Sequence, residues 1–123
     1  MNKPGCKWCV QNNMFGGKPL VQNRSHFLMA KDHPTNPAAM IIPYRHVETP
    51  FEFSLEEWTD LGLILSNAKN HLAEYKPDGF TLGWNVGAAG GQHVFHAHMH
   101  VICRFEYDPT AGNGLRDLIQ TAE

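Results

Sequence analysis

The sequence lacks the features of a membrane protein, a secreted protein or a protein that binds polyanions through its overall charge. Its uninterrupted apolar runs are only a few residues long, far short of the ~20 residues that a membrane-spanning helix needs. The first residues show no signal-peptide pattern. Ten basic and twelve acidic residues give a formal net charge of −2, so no general basic field attracts nucleic acid. We therefore expect a cytoplasmic protein whose partners include neither a membrane nor a nucleic acid.

Cysteine is also scarce, since the chain of 123 residues has only three, and three cysteines cannot all pair. A chain of this length can bury enough apolar surface to fold without disulfide bonds. Reduced thiols or a metal site are therefore the expected state of the cysteines. The composition, 42% hydrophobic and 18% charged, is typical of one globular domain.

Histidine, by contrast, is concentrated in one segment. The chain has eight histidines, and four of them, His93, His96, His98 and His100, lie within eight residues. No other feature of the composition departs as far from the ordinary. We therefore expect the functional site to include this segment.

The most clearly predicted helix begins after Ser54. Ser54 and Glu57 form a capping box, in which each side chain accepts a backbone N–H at the helix start. Apolar residues then recur at three- and four-residue steps and predict a stripe that packs on the sheet: Trp58, Leu61, Leu65, Ala68, Leu72 and Tyr75. The Pro-Asp-Gly sequence at residues 77–79 ends the helix.

The strands are predicted from β-favourable segments between turn signals. Residues 20–30 predict a strand pair, and residues 38–43, 80–85 and 93–105 predict three more strands. Residues 115–120 predict a short helix.

Alternation along the last predicted strand places three histidines on one face. Successive side chains of a strand point to opposite faces, so His96, His98 and His100 share one face, while His93 belongs to the core-facing set. Alternate Cα atoms lie ~6.6–6.8 Å apart. Neighbouring imidazoles can therefore interact or flank one ligand.

Three interpretations of this histidine face remain open from the residues alone. The face can be a solvated surface, or His96 and His98 can bind a catalytic zinc that activates water. A neutral imidazole can instead be the nucleophile that attacks phosphorus. The glycine-rich loop at residues 87–92 favours the nucleophile, because glycine lets backbone N–H groups approach phosphate oxygens. The same glycines can also serve only to connect two strands.

The histidine segment resembles the signature of the histidine-triad (HIT) family, His-φ-His-φ-His-φ-φ with φ apolar. Here it is His-Ala-His-Met-His-Val-Ile at residues 96–102, preceded by Gly-Gln. The resemblance extends to Ile-Pro-Tyr-Arg-His at residues 42–46, to Asn85 before the glycine loop, and to Cys-x-x-Cys at residues 6–9. The order of elements agrees from about residue 6 to Arg104, so the resemblance covers most of the chain.

The resemblance implies an α+β fold of the HIT type. We expect an antiparallel sheet of about five strands, covered by one long helix and a short terminal helix, in a single domain spanning residues 1–123. Residues 1–18 are predicted to form a CxxC knuckle and linker, residues 19–105 the core, and residues 106–123 a C-terminal tail. The resemblance also implies a homodimer.

The activity implied by the resemblance is hydrolysis or transfer of a nucleoside monophosphoryl group. The reaction takes place at the α-phosphate of a purine nucleotide derivative, such as a phosphoramidate or dinucleoside polyphosphate, through a nucleotidyl-histidine intermediate and without an organic cofactor. By motif position His98 is the nucleophile, and His96 and His100 position it and the phosphate. The alternatives are a metal-dependent hydrolase that uses the histidine strand, and a nucleotide-binding or interaction module with vestigial catalysis.

The resemblance also implies substrate contacts. Asp32 resembles the acidic residue that holds the ribose hydroxyls, although an aspartate in this proline-limited loop also fits a turn. Asn85 and Gln92, with Gly91 between them, are expected to hold phosphate or the bridging oxygen, unless they satisfy backbone groups instead. His93 stands where family members commonly have Ser or Thr beside the leaving group, and it either donates a proton there or points away.

A zinc site is predicted at the first two cysteines. Cys6 and Cys9 have the spacing at which two thiolates reach one tetrahedral zinc, which is half of a site. In zinc-bearing members of the resembled family the ligands are completed by residues equivalent to His46 and His96. Four protein ligands leave no open position, so the zinc would be structural. The alternatives are a pair of free thiols and, ranked below both because no βαβ unit follows, a redox dithiol. Cys103, on the core-facing side, is expected to be a packing residue.

Overall fold

The fold is built on one five-stranded antiparallel sheet. The structure is a computed structural model that describes residues 3–6, 8–9, 18–31, 33 and 35–118. The strands are β1 (Val21–Gln22), β2 (His26–Lys31), β3 (Ala38–Pro43), β4 (Gly79–Gly83) and β5 (Met99–Arg104). They lie in the order β1-β2-β3-β5-β4, and all neighbours pair antiparallel.

One long helix, α1 (Leu55–Leu72), lies against β2 and β3. Short 3-10 helices occur at Pro50–Glu52, Ala73–Tyr75 and Gly114–Leu118. The predicted α+β fold, with about five antiparallel strands and one long helix, is therefore confirmed. No helix in the described part of the chain has the length and apolarity to cross a membrane.

Both faces of the β2–β3 pair are apolar. On one face, Leu28 lies opposite Ile41, and both pack in the main core beneath α1. On the other face, Phe27 pairs with Ile42 in a second cluster that also includes Met29 and Met40. The helix covers only the first face, so the second is available to line a site.

The start of α1 is fixed by the predicted capping box. The backbone N–H of Glu57 donates to Ser54 Oγ at 3.1 Å, and Ser54 N–H donates to Glu57 Oε1 at 2.8 Å. The same carboxylate pairs with Arg45, at 2.7 Å from Nη2 to Oε1. Arg45 precedes His46, so this buried acid fastens the chain that carries His46 to the beginning of the helix.

The predicted apolar stripe of α1 is partly wrong. Leu61, Ala68 and Leu72 are buried as expected, together with Ile64, which the prediction omitted. Trp58 and Tyr75 are 42% and 48% exposed, and Tyr75 lies beyond the helix end. Trp58 packs edge-on against two other aromatic rings near the end of the sheet, those of Phe53 and Trp84, at centroid distances of 5.2 and 5.9 Å. Trp58 therefore packs on aromatic rings at the margin of the main core, to which Phe53 belongs, and is not buried beneath the helix.

The predicted strand over residues 93–105 is also too long, since β5 begins only at Met99. Its pairing with β3 ends at Met99 opposite Ile41, and its pairing with β4 ends at His100 opposite Gly83. Before that point the chain is held by a loop contact, in which Ala97 N–H donates to the Val47 carbonyl at 2.8 Å. Alternation therefore fails there: Phe95 is 43% exposed, whereas His96 is fully buried.

Candidate active site and metal centre

His98 lies just before β5 with its tautomer fixed by the backbone. Its Nδ1 lies 2.8 Å from the carbonyl oxygen of His96. A carbonyl oxygen can only accept, so Nδ1 carries the hydrogen and the lone pair of the neutral ring lies on Nε2. The His98 ring is half-buried and lies edge-on to the His100 ring, with centroids 5.0 Å apart. The hydrogen bond to the His96 carbonyl fixes the orientation of the ring and of the lone pair on Nε2.

His100 is the first histidine of the segment that lies within the sheet. It lies opposite Met40 of β3 and Gly83 of β4. Burial, together with the neighbouring His98, Lys31 and His33, lowers the pKa of His100 to about 4. His100 is therefore neutral at pH 7 and can serve as a hydrogen-bonding group beside His98.

His96 is fully buried and uses both ring nitrogens within the protein. Its Nε2 donates to the Pro43 carbonyl at 2.8 Å, so the lone pair lies on Nδ1, which is 3.5 Å from the sulfur atoms of both Cys6 and Cys9. Burial lowers the pKa of His96 to about 4. The prediction that His96 also contacts the phosphate does not fit this geometry, because no ring nitrogen remains for it. His96 positions His98 through its carbonyl oxygen instead.

The predicted ligands Cys6, Cys9, His46 and His96 converge. Their four ligand atoms lie within 4.8 Å of one another. Cys9 Sγ lies 3.2 Å from His46 Nδ1, and the two imidazole Nδ1 atoms lie 3.1 Å apart. Tetrahedral zinc with ordinary bond lengths gives S···N edges of about 3.6 Å and an N···N edge of about 3.3 Å. The observed edges are close to these values, so the four residues fit a zinc ion.

Protonation within the cluster also fits a metal. Burial lowers the pKa of His46 and raises the pKa of the Cys9 thiol. In the part of the chain that the structure describes, the buried Nε2 of His46 has no hydrogen-bond partner. A cation between the four ligand atoms would hold the thiols as thiolates and both imidazoles neutral. The cluster can therefore bind a metal ion as a closed donor set.

The buried side chain of Gln92 hydrogen-bonds to the backbone of the glycine-rich loop and of the chain beside it. Its Oε1 accepts from Gly87 N–H at 2.9 Å, and its Nε2 donates to the carbonyls of Glu48 and Val94 at 2.7 and 3.0 Å. The side chain is buried, and both amide hydrogens are used. Gln92 therefore satisfies backbone groups, the alternative stated above, and gives the loop its shape without donating to phosphate.

The glycines of this loop are needed where the chain approaches itself. A Cβ on Gly90 would lie 2.2 Å from the Val86 carbonyl oxygen. Gly91 has φ +96°, and a Cβ there would lie 3.5 Å from the side chain of Asn85, which is exposed. The N–H groups of Gly90 and Gly91 donate to the carbonyls of Gly87 and Ala88 at 3.1 and 3.0 Å, so within this turn it is the Asn85 side chain that remains at the surface.

His93 is exposed, contrary to the prediction that it faces the core. The reason is that it lies six residues before β5 begins, where strand alternation does not apply. With Cys6 and His46 it lines a cavity of about 440 Å³ beside the metal cluster. Asp32, the predicted ribose contact, lies outside the described residues.

Comparison with known proteins identifies the family. A model of the HIT domain matches residues 18–107 of the chain. The chain belongs to the HIT family. The Bacillus subtilis (strain 168) protein named "Protein hit" is 34% identical over 67 residues, which are 54% of this chain and 46% of that protein. The chain thus matches less than half the length of this curated relative.

Solved HIT structures share the fold. A HIT family hydrolase from Clostridium thermocellum has a TM-score of 0.70 and 21% identity, with 89% of this chain and 99% of that chain covered. A hypothetical histidine triad nucleotide-binding protein from Sulfolobus tokodaii has a TM-score of 0.73 and 23% identity, with 96% and 77% covered.

Sequence reasoning missed one residue of this HIT site, Trp8. Its ring centroid lies 5.7 Å from that of His98, and the side chain also packs against the second apolar cluster. Trp8 lies between Cys6 and Cys9, so the convergence of these candidate ligands with His46 and His96 places it beside His98. The signal in the sequence is its position inside the CxxC. Because the predicted metal site joins the CxxC to the first triad histidine, a residue between the two cysteines is expected to lie near the triad.

Proposed function

We propose that this HIT protein hydrolyses or transfers a nucleoside monophosphoryl group at the α-phosphate of a purine nucleotide derivative. Phosphoramidates and dinucleoside polyphosphates are the substrate types. The observation that supports the proposal is the hydrogen bond from His98 Nδ1 to the His96 carbonyl, because it orients the Nε2 lone pair for attack on phosphorus. The solved hydrolase and nucleotide-binding HIT proteins of the same fold agree with this chemistry.

The proposed reaction has two displacement steps. His98 Nε2 forms a bond to the α-phosphorus, and the bond from phosphorus to the leaving group breaks. The leaving group keeps that electron pair and takes a proton from water. Throughout this step, His98 Nδ1–H continues to donate its hydrogen bond to the His96 carbonyl oxygen. The oxygen of water, or of another acceptor hydroxyl, then forms a bond to the phosphorus, and the bond from phosphorus to His98 Nε2 breaks. Its electron pair returns to Nε2, the attacking oxygen loses one proton to solvent, and the nucleoside monophosphate or its ester is released with His98 neutral again.

The surrounding residues have supporting roles in the proposal. His100, kept neutral by burial, hydrogen-bonds and positions the phosphoryl group, and His96 orients His98. Asn85, beside Gly91, holds a phosphate oxygen, and Asp32 holds the ribose hydroxyls.

We also propose that the Cys2His2 cluster holds a structural zinc ion. Such an ion would supply folding free energy and, being fully coordinated by protein, would leave no position for substrate. The ligand Cys9 is buried and adjoins Trp8, and the ligand His96 supplies the carbonyl that orients His98. The zinc therefore connects the N-terminal knuckle to the nucleophile without taking part in a chemical step.

A homodimer is proposed through the edge strand β4. The other sheet edge, β1, has only two residues, whereas β4 has five, and an unpaired edge favours pairing with a second copy. Leu82 of β4 is 39% exposed and lines a groove that also includes Leu65 of α1. Sedimentation equilibrium should give twice the chain mass for the wild type and a lower mass for Leu82→Lys. A wild-type monomer contradicts the proposal.

The catalytic proposal is tested by His98→Ala, with His71→Ala as the matched control. His71 is an exposed histidine in the last turn of α1. We expect His98→Ala to abolish turnover of an adenosine phosphoramidate while nucleotide affinity stays within about tenfold of wild type, since only the covalent route is lost. His71→Ala should leave turnover unchanged. Wild-type turnover in His98→Ala would refute the assignment.

A further inference from the structure

A second cavity lies on the same face of the sheet as His100. It has a volume of about 330 Å³, and Ile102 of β5 lines it. Ile102 follows His100 by two residues on the same strand, so their side chains share a face and their Cα atoms lie ~6.6–6.8 Å apart. Thr81 of β4 pairs directly with Ile102 and lines the same cavity. The proposed mechanism assigns no role to this space.

Arg104 lines the cavity and is held in one orientation. Its Nε donates to Asp108 Oδ2 at 3.1 Å, and its two terminal nitrogens donate to Thr81 Oγ1 at 3.2 Å and Thr110 Oγ1 at 2.6 Å. A guanidinium has five N–H groups, so two remain for a ligand. Each threonine oxygen accepts from Arg104, and its own O–H therefore remains a donor.

The opposite side of the cavity also presents a donor. Backbone N–H groups of Asn36 and Thr35 donate to His33 Nδ1 at 3.0 and 3.3 Å. Because Nδ1 accepts, Nε2 carries a hydrogen. His33 is exposed and lines the cavity, so its Nε2–H is available to a ligand.

The side-chain acceptors around the cavity already accept hydrogen bonds from the protein, and the charge of Asp108 is paired with Arg104. The Asp108 carboxylate accepts from Phe105 N–H at 2.8 Å, from Arg104, and from Asn36 Nδ2 at 3.0 Å. The Asn36 side-chain oxygen accepts from the Thr35 hydroxyl. In the region described, the cavity therefore presents a surplus of hydrogen-bond donors: two N–H groups of Arg104, two threonine hydroxyls and His33 Nε2–H.

The geometry points to an oxyanion subsite in this cavity, where Arg104, Thr81, Thr110 and His33 bind a phosphate group. A preorganised arginine with two remaining N–H groups matches two oxygens of one phosphate. The phosphate is either a second phosphate of the nucleotide substrate or a free phosphate ion. The first source rests on the proposed function, whereas the binding chemistry does not.

The test is an NMR titration of the full-length protein with inorganic phosphate. Phosphate should shift the backbone amide signals of Thr81, Arg104 and Thr110. Arg104→Gln should weaken this binding at least about tenfold, since two charge-assisted hydrogen bonds are lost. Thr81→Val, which leaves the Arg104–Asp108 pair in place, should weaken it about threefold or more. Arg116→Gln is the control, because Arg116 is an exposed arginine outside the cavity.

The source of the phosphate is distinguished with adenosine 5′-monophosphate and adenosine 3′,5′-bisphosphate. A gain of tenfold or more in affinity for the bisphosphate, lost in Arg104→Gln, identifies a second phosphate of the substrate. Amide shifts with inorganic phosphate in the presence of saturating monophosphate, without a bisphosphate gain, identify a free ion. Unshifted amides, together with affinities unaffected by Arg104→Gln and Thr81→Val, overturn the subsite. These are binding measurements, so a failure of the proposed catalysis, seen as absence of turnover, would be separate.

Discussion

Replacing Cys9 by serine should destabilise the protein far more than replacing Cys103, although both thiols are fully buried. Cys9 Sγ lies 3.2 Å from His46 Nδ1 and 3.5 Å from His96 Nδ1, so Cys9→Ser breaks the proposed tetrahedral set. Cys103 packs in the main core and is outside the cluster. Cys103→Ser therefore measures the cost of placing a hydroxyl in the core, without loss of a metal ligand.

The magnitude follows from linkage between folding and metal binding. Free zinc at about 100 to 1,000 times its dissociation constant stabilises the folded chain by about 2.7 to 4.1 kcal/mol. A change of 1 kcal/mol shifts the Tm of a domain of this size by about 4 °C. Cys9→Ser should therefore lower the Tm by about 10 °C or more.

The assay is thermal unfolding followed by circular dichroism, with and without a zinc chelator. The chelator should lower the Tm of the wild type and of Cys103→Ser, but not that of Cys9→Ser, which has already lost the site. If the chelator leaves the wild type unchanged and the two variants unfold at the same temperature, the structural zinc is refuted.

Two further predictions concern the loop and the triad. Gly90→Ala places a Cβ 2.2 Å from the Val86 carbonyl oxygen and should reduce both turnover and the free energy of unfolding. Gly62→Ala is the control, because a Cβ there meets open space on α1, and it should stabilise the fold by up to about 1 kcal/mol. Equal urea midpoints for the two variants would contradict this prediction. The pKa of His100 is lowered from 6.5 to about 4 in the folded protein. As pH falls, His100 therefore takes up a proton in the unfolded chain before it does so in the folded protein. Stability linked to His100 should be full above about pH 6.5 and be lost towards pH 4, by up to about 3 kcal/mol. Urea midpoints of His100→Gln should show a correspondingly weaker pH dependence.

Capping residues and short β-favourable runs in the sequence correctly predicted the helix and the strand in which they occur. The β3 prediction has the observed bounds, and the capping box at Ser54 begins α1 as expected. The CxxC and the first triad histidine converge in space as the family resemblance implied. The spacing of residues in the sequence predicted only two of the four candidate metal ligands, Cys6 and Cys9. The other two, His46 and His96, come from distant parts of the chain, so only the family resemblance indicated them.

Features that depend on tertiary partners were not predictable from alternation. Nothing in the sequence states where β3 and β4 stop pairing with β5, so the predicted strand begins six residues too early. For the same reason His93 was assigned to the core and His96 to an open face. The amide of Gln92 reaches Glu48, which is 44 residues away in the chain, and such contacts leave no periodic signal.

The most direct test of the central claim is mass spectrometry of the protein after brief incubation with an adenosine phosphoramidate. We expect a mass increase of one adenosine monophosphoryl group, located on His98 by peptide mapping. The adduct should form in His71→Ala, be absent in His98→Ala, and require no added metal. Turnover without any adduct on His98, or turnover that rises in proportion to added zinc, would contradict the account.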